Sequence, residues 1–174
     1  MNQKKVYILL TKFSNHSSHL FSFITGDYYT HASIGLEEDM NIFYSFVNKG
    51  FIIEEITRYV KHQDYAIPCL LYELEVPKSK YENLKKDISH FIKNKNNLYY
   101  TQLGLILCLL KIPFKKKNHY FCSQFVAEIL SHNQIIQLNK KSSLYLPEDF
   151  QKTNELQLSF QGDLQSMIHH YQLH

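Results

Sequence analysis

Tryptophan is absent from the 174 residues, cysteine is scarce, and no apolar run is long enough to cross a bilayer. Each shortage excludes something. The three cysteines, Cys69, Cys108 and Cys122, show no paired spacing and leave an odd count. That argues against a disulfide framework and points to a reducing, cytoplasmic setting. The most apolar segment, Leu103 to Ile112, falls far below the roughly 20 residues a membrane-spanning helix needs, so no integral membrane segment is expected. It reads as a buried helix beside the next one, with Cys108 as inert packing; peripheral membrane contact is the other reading.

A strong excess of one charge is missing too. Lys and Arg number 19 against 16 Asp and Glu, a net of +3. That is too mild and too dispersed to argue for nucleic acid as a partner, and Lys115-Lys116-Lys117 reads as a solvated loop. Met1 to Lys5 precedes only a short apolar strand with no cleavage-site pattern, so no signal peptide is expected. No repeat, linker or low-complexity tract divides the chain. Its length suits one domain over residues 1–162, followed by a polar, histidine-bearing, partly ordered tail at 163–174.

What the chain has instead is aromatic: 13 Tyr and 12 Phe. Such rings mostly fill a core, and they also suit a pocket for an apolar or acyl group. Val6 to Leu10 reads as a strand buried on both faces, and Ser14 or Asn15 can cap a short helix that Gly26 closes. Residues 31–37 and 41–47 read as a β-hairpin, 51–55 as a strand, 56–62 as a turn of helix and 67–76 as an alternating strand ended by Pro77. Ser79 to Glu82 has the pattern of a capping box, opening a helix whose apolar face carries Leu84, Ile88, Phe91 and Ile92. Leu156, Leu158 and Phe160 alternate as a last strand.

Two stretches carry chemistry. In Tyr120-Phe121-Cys122-Ser123-Gln124-Phe125-Val126-Ala127-Glu128 a cysteine opens an amphipathic helix, where the helix dipole lowers a thiol pKa. In Thr30-His31-Ala32-Ser33-Ile34-Gly35-Leu36 a histidine opens a strand. A thiol and an imidazole brought together make a nucleophile and its base. The hairpin restricts which residue can orient that imidazole: a loop of even length puts Tyr44 on the face of His31, an odd one puts Ser45 there. Tyr28, Tyr29 and Tyr120 could frame a substrate or donate to an oxyanion, with Ser123 beside the thiol, or they could be core. His16 and His19 lack the further ligands that would make a metal site.

His31-x-x-Ile34-Gly35 followed much later by Tyr120-x-Cys122-Ser123-x-x-Val126-Ala127-Glu128 resembles the permuted branch of the NlpC/P60 papain-like superfamily. That branch, in which the histidine strand precedes the cysteine helix, includes YiiX-like and lecithin:retinol acyltransferase-like proteins. Leu146-Pro147-Glu148-Asp149-Phe150 looks like the Pro-x-Asp segment after the cysteine helix of YiiX-like chains. The resemblance implies an α+β fold, a mainly antiparallel sheet holding His31 with the Cys122 helix packed on it. It also implies a cysteine hydrolase that forms an acyl-thioester on Cys122 from a small-molecule, peptide or lipid-like acyl substrate, with no metal or organic cofactor. In the family a polar group on the strand next to the histidine orients the ring. The resemblance points first to an amidase or peptidase, with acyl transfer or lipid hydrolysis as the alternative its acyltransferase-like members imply. Neither Tyr44 nor Ser45 is a carboxylate, which leaves open a binding domain that keeps the fold without catalysis.

Overall fold

The computed structural model describes residues 3–13, 29–62 and 65–173. The expected helix between Ser14 and Gly26, with His16 and His19, and Tyr28 lie outside them. The fold is α+β. β1 (Gln3–Thr11), β2 (His31–Leu36), β3 (Asp39–Val47), β4 (Gly50–Glu55), β5 (Pro68–Pro77) and β8 (Gln157–Asp163) form one antiparallel sheet in the order β4-β3-β2-β1-β5-β8. β6 (Tyr99–Tyr100) and β7 (His119–Tyr120) pair in parallel as a separate ribbon. The helices are α1 (Ile56–Lys61), α2 (Lys78–Lys93), α3 (Gln102–Leu109), α4 (Cys122–His132) and α5 (Leu164–Tyr171).

Strand alternation sorts the core into two. Val6, Ile8 and Leu10 of β1, Ala32 and Ile34 of β2, and Phe46 of β3 face α2 and α4, meeting Leu84, Ile88, Phe125, Val126 and Ile129. Tyr7 and Leu9, Phe43, Cys69 and Leu71 face the other way, meeting Ile56 of α1 and Leu164 and Met167 of α5. β1 is buried from Val6 onward because both its faces are covered. Phe125 is the anchor of α4: its ring sits 4.9 Å from Phe91 and 5.2 Å from Phe46. Burying such a side chain contributes about 1.5–3 kcal/mol.

Three expectations are corrected here. The tail is not partly ordered: Asp163 caps α5 by accepting from Ser166 N at 2.9 Å. Leu164 and Met167, spaced to lie on one helix face, close the second core. The Ser79–Glu82 capping box does not form, because α2 opens at Lys78, two residues before the Lys80 start that such a box needs, with Pro77 at the cap position and no side chain capping it. α3 is not buried all round. Gly104 and Cys108 point inward, while Leu103, Ile106 and Leu110 face solvent.

Gly50 sets the geometry of β3 and β4. It pairs with Val47 at the turn, with φ at +99°, and a Cβ there would stand 2.4 Å from the Leu98 carbonyl oxygen. Only glycine meets both demands. Gly50→Ala is expected to lower stability by about 1–3 kcal/mol, measured by urea unfolding; an unchanged midpoint would refute this account of the turn.

Candidate active site

β2 delivers His31 as its first residue, and α4 delivers Cys122 as its first. Helix and ring belong to opposite sides of the sheet, and they meet because both stand at its rim. Cys122 and His31 are each 7% exposed.

The imidazole is held by Glu54, with Nε2 and Glu54 Oε1 2.7 Å apart. Register explains the encounter. Gly35 lies opposite Phe43 and Phe43 opposite Glu54, so Glu54 shares the face of His31 and reaches it diagonally over β3. Tyr59 of α1 donates to the same carboxylate oxygen at 3.4 Å, and the Phe13 ring packs against both His31 and Tyr59. With Nε2 committed to Glu54, Nδ1 is the nitrogen free to exchange a proton with Cys122.

The thiolate is further held by main chain. β3 pairs with β2 only from Ile34 onward, so the β3-facing groups of Ala32 have no strand partner. Ser45 Oγ donates to the Ala32 carbonyl at 2.6 Å. The N–H of a strand residue points the same way as its C=O, and that N–H hydrogen-bonds to Cys122. Ser123 N–H, at the start of the helix, is the second backbone donor to the sulfur.

These contacts separate the three thiols. Burial pushes Cys122 up, but the hydrogen bond and charge of His31, with the Ala32 and Ser123 N–H groups, outweigh it and hold the thiol below its ordinary 9.0. Burial likewise pulls His31 down, and is overcome by the Glu54 charge and by hydrogen bonds to Cys122 and Glu54; its pKa rises to about 10. Cys69 gains nothing that lowers it and Cys108 only the charge of Lys140, so burial pushes them up to about 12 and about 11. Both shifts favour the ion pair of thiolate and imidazolium over the neutral thiol and imidazole.

Of the residues singled out from sequence, His31 and Cys122 come together. Tyr44 does not join them: it pairs with Ile34, on the opposite face, and stacks near Phe51. The loop of Glu37 and Glu38 is even and alone would have put Tyr44 there, but the register shift between Gly35 and Leu36 reverses the alternation and brings Ser45 to the histidine's side; Ser45 binds Ala32 rather than the ring. Ser123 is fully buried and donates to Tyr145 O at 2.7 Å, tying α4 to the segment before Pro147, so it does not line a substrate surface. Tyr29 is buried core, and Tyr120 packs on Phe46 and Phe91. Asp149 accepts from Leu146 N at 2.7 Å and from Lys140 Nζ at 2.8 Å, a local brace. His119 sits against Lys117 O and the Tyr99 ring. No group of three or more His, Cys, Asp or Glu among the described residues is arranged to hold a metal.

Glu54, Tyr59 and Tyr100 were missed. Tyr100 lies near enough to Cys122 that, after burial, the thiolate's charge is what raises its phenol pKa. The signal for Glu54 was an acid directly after the apolar run Phe51-Ile52-Ile53, still in a strand whose register the Gly50 turn fixes. No protein-family model matches the chain, and no curated protein matches it.

Iodoacetamide is expected to label native Cys122 rapidly below pH 8 and to spare Cys69 and Cys108, with mass spectrometry locating the adduct. Equal labelling of all three thiols would contradict the assignment.

Proposed function

We propose that this protein is a cysteine hydrolase of the amidase or peptidase kind, on the permuted papain-like fold that its motif order resembles, working in the cytoplasm. The observation that carries the reading is the buried line Cys122, His31, Glu54. Three reduced thiols suit the cytoplasmic setting.

In the reaction, Cys122 Sγ attacks a carbonyl carbon, and the carbonyl electron pair moves onto oxygen. The backbone N–H of Cys122 at the helix end receives that oxyanion, a donor worth about 3 kcal/mol. As the tetrahedral species collapses, the proton on His31 Nδ1 passes to the leaving nitrogen or oxygen, and a thioester remains on Cys122. Water then attacks the thioester with His31 as base, releasing the acid and restoring the thiolate. Glu54 and Tyr59 hold the ring and its charge throughout.

A second reading, acyl transfer or hydrolysis of a lipid ester, is favoured by the apolar side chains that α3 exposes next to α4. The binding-domain reading rested on the lack of a carboxylate beside His31, and Glu54 argues against it.

Incubation with panels of acyl amides, peptides and phospholipids tests these readings. Turnover of amides is expected, lost in Cys122→Ala and reduced about 10²–10⁴-fold in His31→Ala; turnover of lipid esters alone would favour the second reading, and no turnover of any panel member would count against both.

The pH profile of kcat/KM should rise as Cys122 ionises, below the ordinary thiol value, and fall again as His31 loses its proton, well above the ordinary imidazole value of 6.5. Glu54→Gln removes the charge that raises His31. The alkaline limb should then move to lower pH by about 1–3 pH units, and the acid limb to higher pH because the imidazolium supports the thiolate less. A profile left unshifted by Glu54→Gln would remove Glu54 from the mechanism.

A further inference from the structure

α3 is apolar on every side, Leu103-Gly104-Leu105-Ile106-Leu107-Cys108-Leu109-Leu110, yet only one side is covered. Leu103, Ile106 and Leu110, at i, i+3 and i+7, are 55%, 55% and 63% exposed, and Ile112 just beyond is 49% exposed. A helix apolar all round belongs in a nonpolar medium on every side, and a contiguous exposed patch of this kind marks an interaction surface.

The charge around the patch says what covers it. No Asp or Glu occurs in sequence between Asp87 and Glu128; Lys111, Lys115, Lys116 and Lys117 follow α3 directly, and Asp149, whose charge reaches Cys108 of α3, is paired with Lys140. Lys111 follows α3 directly with φ at 59°, its N–H bonded to Cys108 O and that of Ile112 to Leu107 O. This left-handed closing turn sets a cation beside the exposed leucine and isoleucine. Lys116 and Lys117 are exposed, and Lys115 is paired with Glu128. A second copy of the chain on this face would bring lysines against lysines. An anionic bilayer supplies both an apolar layer and negative headgroups, the two things an interfacial helix uses.

The patch is also coupled to the dyad. β6 and β7 run in parallel, joined by Tyr99 N to Asn118 O at 2.8 Å and by Thr101 N to Tyr120 O at 3.1 Å. Each leads at once into a helix, β6 into α3 and β7 into α4. The two helices therefore start side by side.

We infer that the exposed face of α3, with Ile112 and the lysines that follow it, is a docking surface for anionic lipid bilayers that brings the start of α4 to the membrane surface. This stands whatever bond Cys122 cleaves.

The test is co-sedimentation of the full chain with vesicles of phosphatidylcholine alone and of phosphatidylcholine with about a third phosphatidylserine. Binding to the anionic vesicles, weakened by added salt, is expected. Leu103→Ser/Ile106→Ser/Leu110→Ser should lower the partition coefficient at least tenfold, and Lys116→Glu/Lys117→Glu by about fivefold per lysine. Both variants should keep the rapid alkylation of Cys122, which reports an intact fold. Three results would overturn the inference: native protein that stays in the supernatant, both variants pelleting like the native chain, or equal binding to neutral vesicles. A lipid-free dimer in sedimentation velocity that the triple variant abolishes would also overturn it, by making a second copy the occupant.

Discussion

The ion pair between His31 and Glu54 is the constraint on which the site depends. Taking either charge out of water costs several kcal/mol, and the pair survives only because each partner is satisfied from more than one side. Glu54 receives the imidazole N–H and the Tyr59 hydroxyl on one oxygen. His31 lies between that carboxylate and the Cys122 thiolate, so its positive charge serves two anions. The sulfur receives two further backbone donors. Remove the imidazolium and two buried negative charges face each other, which is why the ring stays protonated so far above its ordinary range.

The sheet makes this arrangement possible by being covered twice. With helices on one face only, Glu54 and His31 would stand in water, and their attraction would be screened to a fraction of its buried value. α1 and α5 close that face. α1 does so with a residue that also touches the site, since Tyr59 comes from the helix that directly follows the strand of Glu54. Core and chemistry are thus built from the same stretch, Gly50 to Lys61.

Much of the fold was legible because strands and amphipathic helices leave periodic traces: the alternation of Leu70, Tyr72, Leu74 and Val76, or the spacing of Leu84, Ile88 and Phe91. The thiol and the imidazole were legible because each opens an element within a recognisable motif. Glu54 was not, since its approach to His31 is diagonal across an intervening strand and depends on a turn at Gly50 and a shift in register after Gly35. Composition misled twice. A uniformly apolar α3 suggested burial, and the polar, histidine-bearing end of the chain hid the period of Leu164, Met167, Ile168 and Tyr171. Ser79 had the right neighbours for a cap, but Pro77 had already fixed the start of α2.

The gap between β2 and β3 beside Ala32 has a consequence for how such a site can vary. Its donor to sulfur is a peptide N–H, which every amino acid except proline carries. Side chains at position 32 can therefore change with the packing around them while the hydrogen bond to the sulfur is inherited intact. That part of the site is stored in the path of the chain and not in the identity of a residue, so it can persist where sequence likeness has faded.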